Sequence, residues 1–448
     1  MTARRIICFI LRLALRIFFR RLEMAGAERV PATGPVIFVL NHPNGLVDPA
    51  FMLCLAPRRV SFLAKSTLFR MPVVGYFVRA LDSLPVYRRQ DAGADVARNR
   101  ETFTRCRELL ARGGTLAICP EGVSHNDTYL RPLKTGTARI ALGAVSSSDE
   151  RLDLKIVPVG LYYTAKTAFR SSALIYFGEP LGVEAIKLGA DAEPPPEAVR
   201  ELSNRIEAAL REIVLNAEHE QALDTVARAE RIFSSSDDTD GQGQTLEREL
   251  KLRRRFVEGY DFLRAHAPRR LESLDARITR YEAELHVLQL GPQDLTAAAA
   301  HRSRTLARYL LTRTLLFALL APCAAVGLFV HYPAYRFVGS LAKRLAKRDT
   351  DVLSTFKIAA AMLFFPVTWL LLAIAARSLS GWPAAMVTLL VAPLAGYAAI
   401  LFLEEFDRFI GGARALTFFF TRRWFFLQLL AERRAIRDEI IALGGEVG

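Results

Sequence analysis

Three long apolar blocks in the C-terminal part constrain this chain more than any other feature of its sequence. They span Thr314–Tyr335, Ile358–Ala376 and about Ala384–Leu403, and none of them contains Lys, Arg, Asp or Glu. About 20 helical residues cross the ~30 Å hydrocarbon layer of a bilayer, so each block is long enough to span one. The sequence therefore predicts a membrane region at residues 313–405.

The basic residues around these blocks predict their orientation. Lys and Arg are frequent in Arg336–Lys357 and in the tail at residues 406–448, whereas the connection Arg377–Trp382 carries a single Arg. By the positive-inside rule the two basic segments are cytoplasmic, and the second and third blocks form a transmembrane hairpin. The first block contains Pro322 and Pro333, which can let it bend and re-enter on the same face. Two crossings are therefore expected, with three as the alternative.

The charge balance indicates an anionic partner. Among 448 residues, 60 Lys and Arg stand against 46 Asp and Glu, a net charge of +14. The positive mean hydropathy favours a phospholipid membrane over nucleic acid as that partner. The five cysteines are scattered, without the spacing of a metal or redox site, which favours a reducing compartment. We therefore expect an integral membrane protein whose globular part faces the cytoplasm.

Residues 1–24 predict a basic amphipathic helix at the membrane interface. Arg5, Arg12, Arg16 and Arg20 fall on one helical face, with apolar residues between them. This pattern is typical of a helix that lies in the plane of an anionic bilayer. The alternatives are a helix packed on its own domain and a transit peptide.

Short apolar runs separated by helical stretches predict an α/β domain at residues 25–233, with a mixed sheet flanked by helices. Several runs lack the alternation of a half-exposed strand, as buried strands do. Polar, turn-rich segments follow three of them, and ligands bind outside the strand ends of such sheets. The runs are Val36–Leu40, Val60–Ala64, Thr115–Cys119, Lys155–Tyr163 and Ala173–Phe177.

The remaining segments predict a helical region and C-terminal transmembrane helices. Residues 234–244 are of low complexity and predict a flexible linker. Residues 245–312 predict a charged helical hairpin broken at Pro268, and residues 406–448 predict a basic cytoplasmic helix.

His42 and Asp48 are the first candidates for chemistry. A neutral imidazole, with a reference pKa of ~6.5, can take a proton from a hydroxyl, while a carboxylate fixes its tautomer and stabilises the charged form. The pair suits acyl transfer to an alcohol, with His42 as base and Asp48 as orienting group. Their separation requires a bend, which Pro43 and Asn44-Gly45 can supply. A purely structural hydrogen bond is the alternative.

Two later motifs add candidates for binding an anion. Arg88 follows a strand-like run and suits bidentate recognition of phosphate. Glu121 and Gly122 follow the strand that ends near Cys119, with Lys134 soon after. Glu121 could orient substrate hydroxyls or an arginine; a structural ion pair between Glu121 and Arg88 is the alternative.

These blocks, in this order and at this spacing, resemble the glycerolipid acyltransferases of the phosphate acyltransferase superfamily. They most resemble the branch of fungal endoplasmic-reticulum glycerol-3-phosphate and dihydroxyacetone-phosphate acyltransferases and its bacterial relatives. The usual first motif has four residues between His and Asp, whereas this sequence has five, as that branch does. The resemblance covers roughly residues 30–185 and rests on Asn41–Pro49, Leu84–Asp91, Pro120–His125 with Leu133–Gly136, and Val157–Tyr163 with Phe169–Ser171 and Gly178.

The resemblance implies roles for single residues and for partners. It implies His42 and Asp48 as the catalytic pair. The residues implied at the acceptor site are Arg88, Glu121 and Gly122, with Lys134 and Arg170 as additional candidates. The acyl donor would be acyl-CoA or acyl carrier protein, and the acceptor glycerol 3-phosphate or dihydroxyacetone phosphate. No cofactor and no metal is expected. The alternatives are a lysophosphatidic acid or other lysophospholipid acyltransferase, and a catalytically silent lipid-binding membrane scaffold.

Overall fold

The chain divides into two compact units that are not contiguous in sequence. The computed structural model describes residues 3–88, 91, 96–148, 152–189, 193–217, 220–234, 245–288, 290, 303–347 and 349–447. The first unit comprises Met1–Asn216 with Ala342–Ile358, and the second comprises Ala217–Leu341 with Ala359–Gly448. The predicted linker at residues 234–244 lies, except for Ser234, outside the described residues. The sequence did not predict that a distant short segment would join the first unit.

The first unit is built on an eight-stranded sheet in the order β1-β7-β6-β2-β5-β3-β4, with β8 beside β6. Strand β6 is antiparallel to β7 and β8, and the other neighbours are parallel. The predicted mixed α/β sheet is confirmed. The strands are β1 Arg21–Ala25, β2 Val36–Leu40, β3 Ser61–Lys65, β4 Leu84–Val86, β5 Thr115–Ile118, β6 Lys155–Tyr163, β7 Ser172–Phe177 and β8 Leu181–Gly182.

The core of this unit surrounds the central strand β2, whose five residues are all buried. Residues of β2, β5 and β6 pack there with one side of the flanking helices, for example Ile37 with Leu110, Ile140 and Leu202. Each large side chain buried in this way contributes ~1.5–3 kcal/mol. The helices of the unit are α1 Ala3–Phe18, α2 Val47–Leu55, α3 Pro72–Ala80, α4 Asn99–Ala111, α5 Gly136–Ser146 and α6 Pro196–Arg211.

The pairing of β2 with β5 places the two predicted motifs side by side. The strands are parallel neighbours, and Val39 lies opposite Ile118. Because both carboxyl ends therefore reach the same edge of the sheet, the segment after β2 meets the segment after β5.

Helix α1 packs on its own unit and also exposes an apolar face. Leu15 and Phe18 are buried, whereas Phe9 and Leu13 are 66% and 52% exposed. The helix ends at Phe18 and not at residue 24, because residues 21–25 pair with β7 at the sheet edge.

The second unit is helical, and its first helix lies inside the predicted 25–233 domain. Ile232 packs in a core with Leu263, Ile278 and Phe426, so the boundary between the units falls after Asn216 rather than at residue 233. The predicted break at Pro268 separates two helices. The helices that include residues of this unit are α7 Glu220–Ser234, α8 Leu246–His266, α9 Pro268–Val287, α10 Ser303–Ala346, α11 Leu353–Thr421 and α12 Arg423–Val447.

Two helices are long and apolar enough to cross a membrane. The apolar segments are Thr312–Ala346, of 35 residues, and Leu353–Gly411, of 59 residues. Helix α10 continues through both Pro322 and Pro333, so the first apolar block has no helix break of its own. Helix α11 is interrupted at Gly381, which has a φ of 82° and lies in the predicted turn of the hairpin. The number of membrane crossings remains a prediction.

Candidate active site

His42 and Asp48 meet at the carboxyl end of β2. The His42 Nδ1 atom lies 2.8 Å from Asp48 Oδ2. Helix α2 begins at Val47, so Asp48 lies in its first turn while His42 precedes it. Gly45, with a φ of 30°, lies in the bend between them, and positive φ is the region that favours glycine. The structure therefore brings together the predicted base and its orienting carboxylate.

Asp48 is fully buried and fixed by two further donors. The backbone N–H of Asn44 donates to Oδ2 over 2.7 Å, and the Tyr163 hydroxyl donates to Oδ1. Burial and the nearby carboxylate raise the pKa of Tyr163 well above its usual value, so this hydroxyl keeps its proton. Tyr163 was not among the predicted site residues. Its only signal was an aromatic hydroxyl at the end of a strand beside β2.

Glu121 supports the backbone around His42. Its Oε1 accepts the His42 N–H over 3.1 Å, and its Oε2 accepts the Arg131 N–H over 2.9 Å and lies 2.5 Å from His125 Nε2. The alternative of an ion pair with Arg88 is wrong, because Arg88 pairs with Asp91. Glu121 therefore holds the backbone of His42, and its partner His125 was not among the predicted site residues.

A basic cluster, defined as Lys65, Arg88 and Lys134, lies around Gly122. Arg88 Nη1 donates to the Gly122 carbonyl over 2.8 Å, and Arg88 and Lys65 lie 2.9 and 3.2 Å from Asp91. A Cβ added to Gly122, whose φ is 76°, would come within 2.3 Å of Lys134 Nζ. Burial and the Arg88 charge lower the pKa of Lys134. Among the residues that the structure describes, these three cations lie near one carboxylate, that of Asp91, which leaves capacity for an anion.

Arg170 is not part of this cluster. Its backbone N–H donates to Phe18 O over 2.7 Å, and its Nη1 donates to Ile17 O over 3.1 Å. The last carbonyls of a helix lack intrahelical partners, so a guanidinium satisfies them well. The structure therefore places Arg170 at the end of α1, and its role in substrate binding stays a prediction.

The imidazole of His42 holds its proton more strongly than usual. Burial lowers the pKa of His42, but the neighbouring Cys119 and Asp48 outweigh burial, so the pKa lies well above its ordinary value. Burial raises the pKa of the Cys119 thiol, and the neighbouring His42 lowers it. Cys119 and the Asp48 carboxylate thus both stabilise the protonated imidazole. His42 becomes a base only above this raised pKa.

A cleft opens beside the pair. Polar side chains, including those of His42, Glu121 and Asp127, and apolar side chains such as Leu130 both line it. In the part of the chain that the structure describes, no group of three or more His, Cys, Asp or Glu side chains is arranged to hold a metal. The lining residues are Asn41, His42, Pro43, Glu121, His125, Asp127, Tyr129, Leu130, Val214 and Leu215.

Two family models match the chain. Residues 21–162 match the family described as Acyltransferase, so the fold and the site define an acyltransferase domain. Residues 237–448 match the family described as Glycerol-3-phosphate acyltransferase 2 C-terminal domain. The resemblance to glycerolipid acyltransferases is thereby confirmed, in the branch that the five-residue spacing favoured.

The chain is also similar to characterised proteins. It is 23% identical over 449 residues to glycerol-3-phosphate O-acyltransferase 1 of Saccharomyces cerevisiae, covering 79% of this chain and 58% of the relative. It is 26% identical over 283 residues to glycerol-3-phosphate O-acyltransferase 2 of the same yeast, covering 60% and 37%. The crystal structure of a 1-acyl-sn-glycerophosphate acyltransferase from Thermotoga maritima is 20% identical, covering 47% and 79%, with a TM-score of 0.34. The chain spans less than two thirds of the length of the yeast relatives.

Proposed function

We propose that this protein is a membrane-associated O-acyltransferase that transfers a fatty acyl group from a thioester to glycerol 3-phosphate or dihydroxyacetone phosphate in phospholipid biosynthesis. The observation that carries the proposal is the His42–Asp48 pair, 2.8 Å apart, beside a basic cluster. Gly122 connects the His42–Asp48 pair with the basic cluster. It follows Glu121, which binds the His42 backbone, and its own carbonyl accepts a hydrogen bond from Arg88. The matched C-terminal family favours glycerol 3-phosphate as the acceptor over a lysophospholipid.

The geometry supports direct transfer without an acyl-enzyme. Asp48 engages Nδ1 of His42, which leaves Nε2 to take the proton of the acceptor hydroxyl. The acceptor oxygen then attacks the thioester carbonyl carbon, the carbon–sulfur bond breaks, and the leaving thiolate regains the proton from His42. The basic cluster would hold the acceptor phosphate, so that its hydroxyl lies close to the base. Acyl transfer of this kind requires neither a metal nor a cofactor.

The apolar helices support an integral membrane location. Helices α10 and α11 provide segments of sufficient length, and α1 adds an exposed apolar face. With the basic segments on the cytoplasmic side, the catalytic unit would meet cytoplasmic acyl donors and deliver a lipid product at the bilayer.

The test is an acceptor panel with the purified full-length protein in lipid vesicles. Labelled acyl-CoA is supplied with glycerol 3-phosphate, dihydroxyacetone phosphate or lysophosphatidate, and acylated product is quantified. We expect product with the first or second acceptor. Product with lysophosphatidate alone would identify a lysophosphatidic acid acyltransferase instead, and no product with any acceptor, from acyl-CoA or acyl carrier protein, would favour a lipid-binding scaffold.

His42→Ala should abolish nearly all turnover in this assay. Removal of a general base usually costs ~10²- to 10⁴-fold in rate, and the folded state should persist because the loss is one polar side chain at a cleft. The matched control is His286→Ala, which changes an exposed histidine of α9 and should leave the rate unchanged. Activity of His42→Ala close to that of the unmodified protein would exclude the proposed base.

A further inference from the structure

A segment 300 residues from the catalytic motif packs against it within the first unit. We call Asp349–Lys357 the connector segment; it comprises the end of the connection between α10 and α11 and the first residues of α11, which begins at Leu353. It belongs to the same compact unit as the mixed sheet. Its Ser354 is fully buried, although many apolar side chains in the sequence that follows are exposed.

The connector segment binds the loop between His42 and Asp48. Thr355 Oγ1 accepts the backbone N–H of Leu46 over 3.1 Å, immediately before α2 begins. A Cβ at Gly45 would lie 3.0 Å from the Asp351 carbonyl oxygen, so the segment lies closely against this glycine. Because N–H groups at the start of a helix lack intrahelical acceptors, the Thr355 hydroxyl supplies a partner that the loop itself does not.

A second set of contacts reaches the same loop through Lys166. The Ser354 hydroxyl donates to the Lys166 carbonyl, and Lys357 Nζ donates to Thr167 O over 2.7 Å. Lys166 Nζ in turn donates to the Pro43 carbonyl over 2.9 Å. The residue that follows His42 is thus held by a chain of hydrogen bonds that begins in the connector segment.

A third contact reaches the segment after β5. The Ser124 hydroxyl donates to the Asp351 carboxylate. Ser124 precedes His125, whose backbone N–H donates to the His42 carbonyl over 3.2 Å and whose ring binds Glu121. The connector segment therefore contacts each of the loops that fix the backbone of His42.

We infer that the connector segment positions the His42–Asp48 pair, with Thr355 and Ser354 as positioning residues. The inference rests on the proposed function, because it assigns a role in the transfer step. A displacement of about 1 Å at a reacting group can lower a rate by ~10²-fold, so loss of these contacts should act on kcat. It should leave the KM of the acceptor nearly unchanged, because Thr355 and Ser354 hydrogen-bond the catalytic loops rather than the basic cluster.

The test compares Thr355→Val, Thr355→Ser, Ser354→Ala and a control, Thr350→Val, in the full-length protein in lipid vesicles. Thr350 is an exposed threonine of the same segment. We expect kcat to fall about tenfold in Thr355→Val and Ser354→Ala at unchanged KM, to recover in Thr355→Ser, and to be unchanged in Thr350→Val. Full kcat in both Thr355→Val and Ser354→Ala, or an effect confined to KM, would overturn the inference.

Amide hydrogen exchange separates this inference from the proposed function. We expect the Leu46 amide to exchange faster in Thr355→Val than in Thr355→Ser, with equal thermal unfolding temperatures. If the unmodified protein acylates no acceptor, the proposed function fails, and the exchange rate still reports whether the segment holds the loop. Equal exchange at Leu46 in both variants would show that it does not.

Discussion

The pKa of His42 determines the pH at which this proposed base can accept a proton. Since Cys119 and Asp48 raise this pKa, the imidazole is protonated below the raised value and can accept a proton as the pH rises through it. We expect kcat/KM to rise with pH along a limb centred above the ordinary histidine value of ~6.5.

Asp48→Asn should move this limb to lower pH and also lower its plateau. The substitution removes the charge that stabilises the imidazolium, while burial, which lowers the pKa, remains. The measurement is the pH dependence of kcat/KM, with Asp153→Asn as a control at a carboxylate that is 81% exposed. A limb at the same pH in Asp48→Asn would show that another group titrates.

Arg88 is expected to act on binding rather than on the chemical step. Arg88→Ala removes a guanidinium from the basic cluster, and phosphate contacts are largely common to the ground and transition states. We expect the KM for glycerol 3-phosphate to rise about tenfold or more, with a smaller change in kcat. Arg112→Ala, at an exposed arginine after α4, is the control. An unchanged KM would move the phosphate site away from Arg88, with Lys134 the next residue to substitute.

Sequence reasoning predicted the His42–Asp48 pair, which the structure brings together, and missed residues that contact this pair only in the folded chain. His42 and Asp48 share one short motif, and the parallel pairing of β2 with β5 brings Glu121 and Gly122 to them. Tyr163 had only the weak signal of a hydroxyl at a strand end, and the connector segment reaches the site through tertiary contacts that a single sequence does not indicate. The sequence did not predict the contact of Arg170 with the end of α1, because an arginine suits a phosphate and a helix end equally well.

At the scale of elements, the basic helix α1 packs one face against the first unit and leaves another face exposed. Arg4 lies at its start and donates to the Leu81 carbonyl over 2.7 Å and to the Val60 carbonyl over 2.9 Å. Sequence periodicity predicted the helix, but it could not show that β1 would begin at Arg21. Strand β1 is defined by the pairing of its backbone with β7 at the edge of the sheet. Its mixed polar and apolar sequence resembles that of the helix before it.

Arg4→Met should loosen α1 from the first unit. It removes hydrogen bonds to two buried carbonyls, each worth about 1–3 kcal/mol when left unpaired. We expect faster amide exchange across Ala3–Phe18 while β2 and β6 stay protected, and Arg5→Met, at an exposed neighbour, should exchange like the unmodified protein. Equal exchange in the two variants would mean that Arg4 does not hold the helix.

At the scale of the whole molecule, the two-unit division limits how the chain can cross a bilayer. The chain leaves the first unit after Asn216 and returns to it at Ala342. A chain that leaves and rejoins one folded unit crosses the membrane an even number of times in between. Within the described part of residues 217–341, the apolar segment lies in α10, so we expect this block not to cross completely. The interruption of α11 at Gly381 lies in the turn of the predicted hairpin, whose two halves we expect to cross the membrane.

Cysteine labelling with a membrane-impermeant reagent tests this topology. Ser147, Thr350 and Ser378 are exposed residues of the catalytic unit, the connector segment and α11, and each is replaced by cysteine in a background without the native cysteines. We expect Ser147→Cys and Thr350→Cys to be labelled from one side and Ser378→Cys from the other. The same experiment on Ser303→Cys and Ser340→Cys should label both from the side of Thr350→Cys. Opposite sides for Ser303→Cys and Ser340→Cys would establish a full crossing between them.

Because Ala342–Ile358 belongs to the first unit, this unit is not encoded by one continuous stretch of sequence. A gene fragment that ends after Asn216 would encode every strand of the sheet and every residue of the proposed catalytic pair, yet it would lack Ser354 and Thr355. Insertions, deletions and domain exchanges within Ala217–Leu341 therefore alter a stretch of chain that leaves the first unit and returns to it. Evolution and protein engineering alike must therefore keep the two sequence segments of the first unit, Met1–Asn216 and Ala342–Ile358, together in one chain.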